Sequence, residues 1–232
     1  MRVFSKACSL LFLSTVFLHD AYAIGRHPPD RNSPLKNESQ GQMLMTAYRE
    51  LSRGMLDEAA TEYGEVLADS PHEIDALLGL AVIYQRRHQP DLAAKFYRQA
   101  LNEDMGNAPA AAGLISLSIP ADPAAAESEL KELLDIQPSS PELQYALGNA
   151  LAFELRMGEA EHAYFIAYTL APDNALYAYN LAVSLDRLHK PHAALPYYEK
   201  SLRLSMQYPG LFDPNPVNRR IREISGIQEQ KR

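Results

Sequence analysis

Five alanines lay out a ruler along this chain: Ala59, Ala93, Ala126, Ala160 and Ala194 stand 34, 33, 34 and 34 residues apart. Four residues after each comes a large side chain, Tyr63, Tyr97, Leu130, Tyr164 and Tyr198. Eight residues further on stands Pro71, Met105, Pro138, Pro172 or Met206, at a position where a helix ends. A period near 34 with a small residue, a large one a helical turn later and a closing proline predicts stacked helix pairs. The alanine is small because two helices approach closely there, and the ring fills the space beside it. Units of this kind contact only their neighbours, so the array has no fixed globular size.

Each repeat divides into a helix A and a helix B. In the second repeat Leu77, Leu80, Ala81 and Tyr84 follow a one-face helical spacing, and Ala93, Tyr97, Ala100 and Leu101 do the same. The fourth repeat offers Leu147, Gly148 and Leu151, then Ala160, Tyr164 and Ala167; the fifth offers Leu181, Ala182 and Leu185, then Ala194, Tyr198 and Leu202. Pro90, Pro123 and Pro191 share one repeat position, where proline suits the first turn of helix B because its missing N–H is not needed. Asp122 before Pro123 is placed to cap that helix.

Over roughly residues 40–206 these residues resemble the tetratricopeptide repeat (TPR) family. The second repeat carries that pattern as Ala81, Tyr84, Ala93, Tyr97 and Ala100, and the fourth as Gly148, Ala160, Tyr164, Ala167 and Pro172. The bulky aromatic residue often found early in helix A is missing, with Met43, Leu77, Ala111, Gln144 and Ala178 in its place. The resemblance implies an all-α, right-handed superhelical solenoid of about five helix pairs. The third repeat is the weakest, with one residue deleted, an alanine-rich helix A and Ile119-Pro120-Ala121-Asp122-Pro123 where a turn belongs. Pro196 inside the last helix B predicts a kink there. Beyond Met206 a turn-rich stretch leads to Val217, Ile221 and Ile224 on one helical face, a C-terminal helix that would cover the last open interface.

The resemblance also implies a concave wall built from helix A. Carried over by position, its residues are Leu44, Tyr48, Leu51, Leu78, Val82, Gln85, Arg86, Tyr145, Asn149, Phe153, Tyr179, Val183, Asp186 and Arg187. The residues expected to bind a partner are Tyr48, Leu78, Val82, Arg86, Tyr145, Asn149, Phe153, Tyr179, Asn180 and Arg187, a mixture suited to an extended peptide or a partner helix. Asn149 and Asn180 occupy the asparagine positions of the carboxylate clamp of TPR co-chaperones. Tyr145 stands where that clamp needs lysine, so a clamp is not expected.

The ends suggest where the protein works. Arg2 and Lys6, the apolar run from Ala7 to Leu18, and Ala21-Tyr22-Ala23 read as a cleaved secretory signal over residues 1–23. Residues 24–40 are polar and proline-rich and read as a flexible tether before an array over 41–206, with a turn-rich connection and helix over 207–232. Cys8, the sole cysteine, lies inside the signal, so the mature chain has no thiol for a disulfide, a metal or catalysis. A formal charge of −7 argues against nucleic acid, which needs a basic face. No phosphate-binding glycine loop and no His-Glu-x-x-His occurs, and His189 with His192 lacks a third ligand. The expected protein is an exported, periplasmic, non-catalytic scaffold with protein partners. It needs no cofactor, metal or small-molecule substrate, and touches the membrane only indirectly. Signal plus array resembles accessory proteins of bacterial pilus-biogenesis and secretion assemblies. The alternative is a cytoplasmic TPR adaptor or co-chaperone anchored by an uncleaved N-terminal helix.

Overall fold

A computed structural model describes residues 38–206 and 211–229, and among these the chain forms eleven helices and no strand. They run α1 (Glu38–Ser52), α2 (Leu56–Asp69), α3 (Ile74–Arg86), α4 (Pro90–Glu103), α5 (Ala108–Ser118), α6 (Pro123–Ile136), α7 (Pro141–Phe153), α8 (Met157–Leu170), α9 (Ala175–Arg187), α10 (Pro191–Ser205) and α11 (Pro214–Glu229). The odd-numbered helices up to α9 are the A helices and the even-numbered ones the B helices. Each A packs on its own B, and each B on the next A, which makes a five-repeat solenoid closed by α11. The expected export signal and most of the tether lie outside the described residues. The tether boundary is corrected at its end, because α1 already begins at Glu38.

The alanine ruler does what its spacing implied. Ala59, Ala93, Ala160 and Ala194 are completely buried, and Ala126 nearly so. The large residues one turn later, Tyr63, Tyr97, Leu130, Tyr164 and Tyr198, are at most 5% exposed. Burying each such side chain contributes about 1.5–3 kcal/mol before entropy is counted. Glycine is needed where these rings meet helix A. A Cβ on Gly148 would lie 2.5 Å from Tyr164 Cε1, and one on Gly79 would lie 2.4 Å from Tyr63.

Helix starts follow local chemistry. Asp122 accepts from the Ala125 N–H at 3.0 Å, Asn107 from Ala110 at 3.0 Å and Ser140 from Leu143 at 3.2 Å. Each satisfies a donor that the first helical turn leaves open. The turns from A to B share another device. Gly54, His88, Leu155 and His189 occupy the same repeat position, all with left-handed φ of 80°, 57°, 64° and 59°. The third repeat has no such residue: α5 closes with Ile119 still in right-handed helical geometry. At 11 residues α5 is the shortest helix described, and it packs less extensively on its partner than any other A helix does. The expected weakness of this repeat therefore has a structural counterpart. α10 runs continuously from Pro191 to Ser205, so Pro196 does not end it.

Contacts between repeats recur at about one repeat length. Arg87 reaches back to the Leu56 carbonyl and to the Asp57 carboxylate. Gln137 Nε2 donates to the Gly106 carbonyl at 2.9 Å. Arg156, in the turn before α8, binds Glu127 on α6 together with Glu154 at 2.8 Å and Glu159 at 2.6 Å. These hydrogen bonds hold the Glu127 and Glu159 carboxyls below their ordinary value, with Lys131 assisting at Glu127. The short third repeat is thus tied to the fourth by charge as well as by apolar packing.

Candidate functional site

A helices of successive repeats touch, α1 with α3 and α5 with α7, while successive B helices are held further apart. Closer packing on the A side is what an inner wall of A helices requires. Along that wall the tyrosines of the second, fourth and fifth repeats each clasp a polar side chain of their own A helix. Tyr97 Oη donates to Gln85 Oε1 at 3.0 Å, Tyr164 Oη to Asn149 Oδ1 at 2.9 Å and Tyr198 Oη to Asp186 Oδ2 at 3.3 Å. Burial pushes the Tyr97 and Tyr164 phenols well above their ordinary value, so both remain neutral donors.

Ten residues were expected to face a partner, and four of them are instead taken up by the chain's own packing. Tyr145 is 4% exposed, because its ring is wedged against Tyr177 at 4.9 Å and Tyr164 at 5.8 Å. Asn180 is buried because its amide donates to Tyr145 Oη and to the Leu176 carbonyl, both at 3.0 Å. Val82 belongs to the continuous apolar core, as do Leu44, Leu51 and Val183. Tyr179 is covered from outside the array: Phe212 stacks on its ring at 4.8 Å, 14° from parallel. The other six, Tyr48, Leu78, Arg86, Asn149, Phe153 and Arg187, reach the surface, and Phe153 is 39% exposed. Arg86 donates to the Leu51 carbonyl at 3.2 Å, which fixes its stem along the wall. Arg187 lies against Met157 Sδ at 3.9 Å, and burial lowers its pKa from the ordinary arginine value.

The fifth repeat is closed by the C-terminal segment. Arg220 of α11 grips Asp186 with two bonds of 2.7 Å, and Val217 and Ile224 are buried beneath the helix. Arg220 stands 34 residues after Asp186, so the alanine ruler extended once more marks this contact. That signal went unread, and with it the covering of Tyr179 and Asp186. The open inner wall is therefore the stretch from α1 to α7, with Arg187 of α9 at its edge. Among the described residues no three metal-ligating side chains gather, and no helix is long and apolar enough to cross a membrane.

The sequence profile of the tetratricopeptide repeat family matches residues 50–118. The type IV pilus assembly protein PilF of Pseudomonas aeruginosa is 25% identical over 205 residues, spanning 88% of this chain and 68% of that protein. Cellulose synthase 2 operon protein C of Komagataeibacter xylinus is 37% identical over 93 residues, but these make up only 7% of its length. Among solved structures, a crystal structure of MamA aligns over 69% of this chain and 95% of its own, at 20% identity and a TM-score of 0.43. MamA from Desulfovibrio magneticus RS-1 aligns over 73% and 97%, at 16% identity and a TM-score of 0.45. The family profile marks residues 50–118 as tetratricopeptide repeats, and the same register of helix pairs runs on from there to α10.

Proposed function

We propose that this chain is an exported TPR scaffold that holds a protein partner along its inner wall. It serves as an accessory of a bacterial envelope assembly such as pilus biogenesis or secretion. The observation that carries the reading is the wall itself: Phe153 is exposed, and Tyr48, Leu78 and Asn149 are half-buried, on A helices that otherwise supply much of the core. Aromatic and aliphatic side chains on a rigid concave surface anchor peptides and helices. Similarity to a type IV pilus assembly protein supports the envelope setting, and the signal-like residues 1–23 support export. The chain binds rather than catalyses.

Two measurements test this. N-terminal sequencing of the secreted or periplasmic protein should find Ile24 first; a chain still beginning at Met1 would favour the anchored adaptor instead. Affinity capture from the host's envelope fraction, with partners identified by mass spectrometry, should recover an envelope-assembly component. Phe153→Ala with Leu78→Ala should abolish that capture while leaving helicity unchanged, since loss of an anchor costs about 2 kcal/mol or more. Undiminished capture by this pair would overturn the inner-wall reading.

A further inference from the structure

A helix on a solenoid surface normally carries apolar residues inward and polar ones outward. α8 does not. Its inward positions Ala160, Ala163, Tyr164 and Ala167 are buried, yet its outward side also carries apolar residues, set beside the exposed His162 and Thr169. Phe165 is 44% exposed and Leu170 41%, and Ile166 and Tyr168 are half-buried beside them. Tyr197 of α10 extends the strip, its ring meeting Tyr168 edge-on at 5.2 Å. On the opposite flank Leu170 borders a cleft of about 650 Å³ shared with Pro138, Pro141 and Tyr177. α4 and α6 expose one large apolar residue each, Leu92 and Ile136, and turn more charge outward, with Lys95 and Arg98 on α4 and Glu129 and Glu132 on α6.

Two properties indicate what covers the strip. The first is size. Its exposed apolar area is on the order of 200–300 Å², well short of the roughly 800 Å² that each partner buries in a standard interface. A single helix fits; a second folded copy would find too little. The second is charge. Glu161 on α8 lies near Tyr197, and α6 adds Glu129, Glu132 and Asp135; none of these four carboxylates has an ion-pair partner among the described residues. A second copy would set this acidic face against itself, whereas a cationic occupant would neutralise it. We propose that the outer strip of α8 and α10 docks a basic amphipathic helix of a protein partner. Its aliphatic side chains seat on Phe165, Tyr168, Tyr197 and Leu170, and its lysines or arginines meet Glu161 and the carboxylates of α6. The tyrosine rings add a cation–π surface for the same charges. This site is separate from the inner wall and stands whether or not that wall binds.

The test uses the full chain and two fluorescein-labelled peptides of about 16 residues, long enough to form a helix on binding. Both carry one leucine stripe, flanked in one peptide by lysine and in the other by glutamate. Anisotropy should show the lysine peptide binding and the glutamate peptide not. Phe165→Ala should weaken binding about tenfold, with helicity retained because the side chain is not part of the buried core. Glu161→Gln, which cannot disturb the core, should flatten the salt dependence of the dissociation constant. Phe153→Ala with Leu78→Ala should change nothing. Equal binding of both peptides, indifference to Phe165→Ala, or dimerisation in the ultracentrifuge that depends on Phe165 would each overturn the proposal.

Discussion

Replacing Gly148 by alanine tests the interlock on which the repeat geometry rests. In a helix interior this exchange normally stabilises by about 1 kcal/mol. At Gly148 the new Cβ would lie 2.5 Å from Tyr164 Cε1 and 2.6 Å from Cδ1, far inside the optimum of roughly 3.5–4.0 Å. The ring cannot retreat: it is 2% exposed, its hydroxyl is bonded to Asn149 and Tyr145 backs it. Overpacking a filled core costs about 1–3 kcal/mol, and a rigid ring places this case at the upper end. The net effect should be a loss of about 1–2 kcal/mol. Gly64 on α2 supplies the control, because nothing lies within 4 Å of its would-be Cβ. Gly64→Ala should raise stability by about 0.5–1 kcal/mol. Urea titrations followed by circular dichroism, compared at their midpoints, separate the two. Tyr164→Leu should also cost less in the Gly148→Ala background than alone, since removing the ring removes the clash. If Gly148→Ala raises the midpoint as Gly64→Ala does, or if the double mutant is additive, the interlock is not what fixes the helix spacing.

Leu155 holds the left-handed turn position that Gly54 fills in the first repeat, so Leu155→Gly should raise the thermal midpoint, gaining about 1 kcal/mol from relieved backbone strain; an unchanged or lower midpoint would contradict this. Arg156 and Lys131 hold Glu127 below its ordinary value. A carboxylate depressed in the folded state contributes stability that is complete above its unfolded value and is lost as pH falls through the lowered one. The wild-type melting temperature should therefore drop on acidification below about pH 5, and Arg156→Ala should flatten that decline; parallel curves would show that the pairing contributes nothing.

What could be read from the residues alone was whatever repeats. A small alanine, a tyrosine one turn on and a closing proline describe contacts between near neighbours in the chain, so their spacing encodes helix, partner helix and stack. Val217, Ile221 and Ile224 similarly announce a one-sided terminal helix, and Asp122 before Pro123 announces a cap. The candidate wall was only partly legible. Position in helix A tells which way a side chain points; it does not tell whether a neighbouring ring already fills the space ahead of it. Tyr145 and Asn180, expected on the wall, spend their surfaces on Tyr177 and on each other. Tyr179 and Asp186 are closed off by Phe212 and Arg220, which lie beyond the last helix pair and contribute nothing to its internal pattern. The apolar outer side of α8 escaped for a related reason: a ruler that follows inward residues is silent about outward ones. The sequence by itself thus determined an all-α stack and its period, because those depend on local spacing. Only the tertiary structure decided which inner and outer surfaces stay open, because exposure depends on what neighbouring elements bring to the same place.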